Sequence, residues 1–165
     1  MHSKGLQGVL VLALMTTGAC AKRAVATEVS MPGAAPAPSL GNKAPNTIGA
    51  ASPKGAVDAF LAAVNAQDLQ AMSALWGNDK GLARDRLKRE ELEKRLIVMQ
   101  CLIQHDKVSF PEDRARLSAG GKQEFMVELT RGKNTARTKF TAINGPQGRW
   151  YVEDVDVAPL REFCR

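Results

Sequence analysis

Near Val108 the spacing of apolar residues in this 165-residue chain changes from helical to strand-like, which dictates helices first and a sheet afterwards. Ahead of that point Val57, Phe60, Leu61 and Val64 recur at i, i+3, i+4 and i+7, and Leu69, Met72, Leu75 and Trp76 form a second stripe. Ser52 followed by Pro53 is an N-cap with its first helical residue, Asp68 is a second N-cap, and Gly77 is a stop. A polar connection from Asn78 to about Asp85 leads into a longer helix ending near Gln104. Its charged first half places Glu91 with Arg95 and Glu90 with Lys94 at i, i+4. Its apolar side carries Leu92, Leu96, Met99 and Ile103, with Ile97 and Cys101 beside them.

Beyond Val108 the period is 2. Residues 108–117 form a broken strand interrupted at Pro111, which a central strand would not tolerate, so this region belongs at an edge or a bulge. Phe125, Val127 and Leu129 alternate in the next strand and Ala136, Thr138, Phe140 and Ala142 in the one after. A loop at 144–148 leads to the most strand-like run, Arg149 to Val157 (RWYVEDVDV). Strict alternation there sets Trp150, Val152, Asp154 and Asp156 against Tyr151, Glu153, Val155 and Val157. Helices followed by an antiparallel meander predict an α+β fold, with three N-terminal helices on one face of the sheet.

The N-terminus indicates a compartment. Lys4 and the apolar run Val9 to Met15, too short for the roughly 20 residues that span a bilayer, read as a signal peptide over residues 1–19. Thr17-Gly18-Ala19-Cys20 resembles the bacterial lipobox, with Thr17 where that pattern usually has Leu. The resemblance implies that Cys20 is lipidated and that its acyl chains anchor the protein to a membrane. With Ala21 rather than Asp after it, the resemblance implies sorting to the outer membrane. Ala19-Cys20-Ala21 also fits ordinary secretory cleavage, which would discard Cys20 and release a soluble periplasmic or secreted protein. Residues 20–51 are rich in Ala, Pro, Gly and Ser without an apolar period. They read as a disordered tether with a reach on the order of 30 Å. Residues 52–165 are left as the domain.

Three cysteines are an odd number. With Cys20 assigned to the anchor, Cys101 and Cys164 remain, and two cysteines in one small domain of an oxidising compartment tend to pair. Such a bridge would contribute about 4 kcal/mol in the chain-entropy model. The alternative is two unpaired thiols, Cys101 as packing and Cys164 in a frayed tail. His105 is the one histidine beyond the leader, too few nitrogen and sulfur ligands for zinc, so neither a metal nor another cofactor is expected. The net charge of +6, or +5 once the leader with Lys4 is removed, is mildly basic. In an exported chain with mixed, internally paired charge it does not point to nucleic acid.

The opening SPKGAVDAFLAAVNAQDLQAMSALW, the third helix and the closing GRWYVEDVDV resemble the nuclear transport factor 2-like superfamily over about Ser52 to Arg165. The resemblance implies a sheet curled around helices into a cone with a pocket. Enzymes of that superfamily often set a histidine or carboxylate inside the cone as a general acid or base. His105 with Asp154 or Asp156 is then the weak catalytic candidate, against a His105 that hydrogen-bonds the last carbonyls of its helix. Asp154 and Asp156 would be costly if buried. The opposite face of their strand is at least as apolar, which favours exposure. Closer still, the chain resembles small exported lipoproteins of that superfamily with no assigned activity. The expectation is an envelope lipoprotein whose single domain binds a small ligand or an envelope protein. The alternatives are a small-molecule enzyme of the same fold and a homodimer formed through an open sheet face.

Overall fold

The Ser52 hydroxyl accepts a hydrogen bond from the Gly55 amide at 3.1 Å and Pro53 follows it, so helix α1 (Pro53–Asn65) begins at its cap. In this computed structural model the described residues are 48–112 and 114–165, all within one compact unit. The signal peptide, Cys20 and the tether as far as residue 47 lie outside the described residues. Val57, Phe60 and Val64 of α1 are fully buried. The chain reverses at Gln67, a non-glycine residue at φ +55°. Asp68 then caps α2 (Leu69–Ser73) by accepting from the amides of Gln70 and Ala71.

The stretch expected to be a polar connection is folded. A tight hairpin of β1 (Gly77–Asn78) and β2 (Gly81–Leu82) is followed by a 3-10 turn over Ala83–Asp85, and α3 (Arg89–Ile103) starts later than anticipated. The preceding helix does not run to Gly77 but ends at Ser73 with Ala74 as its C-cap, leaving Leu75 and Trp76 outside it. Gly77 instead makes the hairpin possible, because a Cβ there would sit 2.5 Å from the Gly81 carbonyl oxygen. On α3 the Glu91–Arg95 pair forms, whereas Arg89–Glu93 takes the place of Glu90–Lys94. Leu92, Leu96 and Ile103 are buried, but Ile97 and Val98 are exposed.

Among the described residues the main sheet contains β3 (Lys107–Ser109), β4 (Arg116–Ser118), β5 (Lys122–Arg131), β6 (Asn134–Asn144) and β7 (Trp150–Val155). Its order is β3-β5-β6-β7, all antiparallel, and β4 pairs with the same edge of β5 as β3. The interruption at Pro111 thus splits an edge strand in two, as its missing amide requires. Helices followed by an antiparallel sheet that does not close make the fold α+β. The core lies between α1 and the face of the sheet carrying Phe125, Val127, Leu129, Thr138, Phe140 and Ala142.

The last strand departs from the expected alternation. Ala142 pairs with Val152 but Thr141 pairs with Asp154, so Glu153 is the extra residue of a β-bulge. One inserted residue reverses the facing of everything after it. Val152 and Val155 therefore both join the main core, Asp154 is exposed, and the strand ends at Val155. Tyr151 packs instead with Leu82 and Ile143 on the other side.

Backbone ahead of Ser52 also belongs to the folded unit. Ala50 and Trp150 exchange amide-to-carbonyl bonds of 2.8 and 2.9 Å, and the Arg149 guanidinium donates to the carbonyls of Ile48 and Gly49. At the other end a 3-10 segment over Ala158–Cys164 inserts Leu160 and Phe163 into the core. Cys101 and Cys164 lie at disulfide distance, with Cα atoms 5.3 Å apart. Beside them the Arg131 guanidinium donates to the Cys101 carbonyl at 2.9 Å and to the Phe163 carbonyl at 2.6 Å. Among the described residues no helix is long and apolar enough to cross a membrane.

Candidate functional site

His105 follows the end of α3 and is only 8% exposed. Its Nδ1 lies 2.9 Å from the Ile103 carbonyl oxygen, which can only accept, so Nδ1 carries the proton and donates. The Asn65 Oδ1 already accepts from the His105 backbone amide at 3.1 Å, so Asn65 Nδ2 donates to His105 Nε2 at 3.2 Å. Both ring nitrogens are thereby engaged, and the imidazole ties the C-terminal end of α1 to that of α3. Next to it Asp106 accepts from the Gly132 amide at 2.7 Å, fixing the β5–β6 turn.

The aspartates are elsewhere and also occupied differently from a dyad. Asp156 Oδ1 accepts from the Ala158 amide at 3.1 Å, opening the C-terminal 3-10 segment, and its carbonyl accepts from the Thr138 hydroxyl. Asp154 is exposed beside the bulge. Both line surface grooves, none of whose walls includes His105. His105 is a linchpin of the fold in this geometry, and none of these three grooves among the described residues brings it to a carboxylate. His105→Ala and Asn65→Ala are each expected to cost about 1–3 kcal/mol in urea unfolding, because each orphans a buried partner. The double mutant should cost less than the sum, since either change alone already breaks the Asn65 Nδ2–His105 Nε2 bond that the two side chains share.

The most apolar of these three grooves among the described residues runs between α3 and β7 and has a volume of about 410 Å³. Trp76, Val98, Met99, Val155 and Val157 form its walls, with Lys94 and Arg95 on the helix rim and Glu153 and Asp154 on the strand rim. It shares Asp154, Val155 and Val157 with a neighbouring depression of about 510 Å³ that reaches Lys139 and Arg161. A groove of about 390 Å³ between α2 and α3 is more polar, with Gln70, Ser73, Arg84, Asp85 and Glu93 among its lining residues.

The charges around the α3–β7 groove are unevenly spent. Arg95 pairs with Glu91, and Glu153 pairs with Lys122 at 2.7 Å. Hydrogen bonding to Glu153 holds the Lys122 ammonium above its ordinary pKa. Lys94 and Asp154 make no ion pair among the described residues. The groove went unanticipated because Trp76 reads as core by its helical spacing. The available signal was Ile97-Val98-Met99, three consecutive apolar residues that one helix face cannot bury together. Val98 is 56% exposed.

The fold and this groove define a small α+β domain with an apolar recess at one sheet edge. No family model, no curated protein and no solved structure matches the chain.

Proposed function

We propose that the chain is an exported binding protein of the bacterial envelope, anchored through a lipidated Cys20, whose domain holds a ligand or partner in the α3–β7 groove without catalysing a reaction. The observation that carries this reading is the groove itself: Val98 in solvent, opposed by Trp76, Val155 and Val157, with charged rims. Apolar recesses with a few convergent polar groups are the common form of binding sites. His105 spends both nitrogens on the fold, which speaks against the enzyme alternative. In the same reading the domain is nuclear transport factor 2-like, with the helical segments covering one face of a sheet that curls towards a cone. The leader, the lipobox-like run and the Cys101–Cys164 pair support an oxidising envelope compartment together.

Two measurements test it. Titration with the apolar fluorophore 1-N-phenylnaphthylamine should give saturable enhancement, and Val98→Asp should weaken it about tenfold by charging an apolar wall. Equal, unsaturable signals from both proteins would remove the binding site. Mass spectrometry of the full-length product from the membrane fraction should show acyl chains on Cys20. A soluble product lacking Cys20 would replace the anchored form with the secreted one.

A further inference from the structure

The geometry points to an extended peptide as the occupant of the α3–β7 groove, added as a further strand along the uncovered part of β7; this rests on the groove being the binding site. β7 is the last strand of its sheet. The first half of its outer edge is used, with Trp150 bonded to Ala50 and the Val152 amide donating to the Leu75 carbonyl at 2.8 Å. From the bulge onward no strand among the described residues pairs with that edge. The Asp156 amide donates inward to the Lys139 carbonyl of β6 at 2.9 Å. Neighbouring residues of a strand direct their backbone groups to opposite sides, so those of Val155 point outward, into the groove.

The lining supports an edge site. Glu153, Asp154 and Val155 are consecutive, and all three border the groove, which a recess on a single sheet face would not produce. An open strand edge beside an apolar helix wall is the arrangement by which domains take up peptides: backbone bonds supply affinity and alternate side chains enter the recess. The extended edge from Glu153 to Val155 accommodates roughly three residues at about 3.3 Å each, and the groove continues past it to Val157. Side chains directed at α3 meet Val98, Met99 and Trp76. Lys94 on the helix rim and Asp154 on the strand rim, neither in an ion pair among the described residues, favour a peptide that carries an acid towards α3 and a base towards β7. A second copy of this chain is a poor fit. Antiparallel pairing of two β7 edges about Val155 would set Asp154 of each copy against Asp156 of the other, and like charges opposed across strands are destabilising.

The test uses the full-length protein and a fluorescein-labelled heptapeptide, Glu-Val-Thr-Val-Thr-Val-Lys, followed by anisotropy. Two further versions are N-methylated at alternate residues, one in each register. Strand addition predicts saturable binding that displaces 1-N-phenylnaphthylamine and is weakened by Val98→Asp. It also predicts that one methylated register loses about tenfold or more in affinity while the other binds like the parent. Equal binding of the two registers overturns the proposal, as does failure of all three peptides while the fluorophore still binds, an outcome that leaves the groove reading intact. Failure of the fluorophore as well removes both. Peptide-independent dimerisation in sedimentation, with the fluorophore excluded from the dimer, overturns the proposal in favour of a second copy.

Discussion

Replacing Cys101 and Cys164 together by serine is expected to lower the stability of the oxidised protein by about 4 kcal/mol in the chain-entropy model. The two residues are 63 apart in sequence, so the bridge closes more than half of the folded domain into one loop. The loss should fall mainly on the unfolded state, because other contacts hold the same pieces together. Arg131 binds the carbonyls of Cys101 and Phe163, and Leu160 and Phe163 are buried in the core. The serine protein should therefore keep its native circular dichroism and unfold in urea at a lower midpoint. It should also show a larger m-value than the oxidised parent, since the unbridged chain exposes more surface. Reducing agent should bring the parent to the same curve. A difference under about 1 kcal/mol would mean that the chain-entropy account fails here, with strain or residual structure offsetting it. Arg131→Met, which orphans both carbonyls, is expected to cost about 1–3 kcal/mol on its own. Its cost should change when the bridge is absent, because the two devices restrain one joint.

The parts of this fold that were legible in the sequence are those written in local chemistry. Ser52 and Asp68 mark helix starts because a cap needs only one side-chain oxygen and nearby amides. The alternation at Phe125–Leu129 marks a strand because one face of the sheet is covered, and β6 alternates in the same way up to Phe140 before both its faces are buried from Thr141 to Ile143. Pro111 marks the broken edge for the same kind of reason. What remained hidden depends on distant partners. Nothing within WYVEDV announces that Glu153 is an inserted residue, and the ion pair that holds it outward comes from Lys122, thirty-one positions earlier. Without the bulge, Val152 and Val155 would face opposite sides; with it, both serve the core, and Asp154 moves to the rim of the groove. The burial of Leu160 and Phe163 carries no sequence signal because a 3-10 segment has neither of the two periods by which burial is recognised. His105 was half legible. Its bond to a helix-end carbonyl follows from its position, but its second partner, Asn65, lies forty residues away. The groove shares this origin, since its walls come from α3, Trp76 in the segment between α2 and β1, and a strand whose register the sequence misreports.

Phe140→Ala is expected to cost about 3–5 kcal/mol, as large-to-small changes at fully buried aromatics do. Phe140 is fully buried on β6, flanked across the ladder by Phe125 on one side and Val155 on the other. Phe125 in turn meets Phe110 edge-on, with ring centroids 6.4 Å apart. Removing the middle of this row opens a cavity between α1 and the sheet that no neighbouring side chain can fill without leaving its own contacts. Leu117→Ala, at a residue 77% exposed, should change stability by no more than about 0.5 kcal/mol and serves as the control. The row also reaches the groove, because Val155 is both Phe140's cross-strand neighbour and part of the groove wall. Phe140→Ala should therefore weaken fluorophore binding under conditions where the protein is still fully folded. Val127→Ala, whose partner across β6 is Thr138, should reduce stability and leave binding unchanged. If the two variants reduced binding equally, the effect would be a general loosening of the domain. If only Phe140→Ala did, the end of β7 would be established as the element through which core packing positions the groove wall.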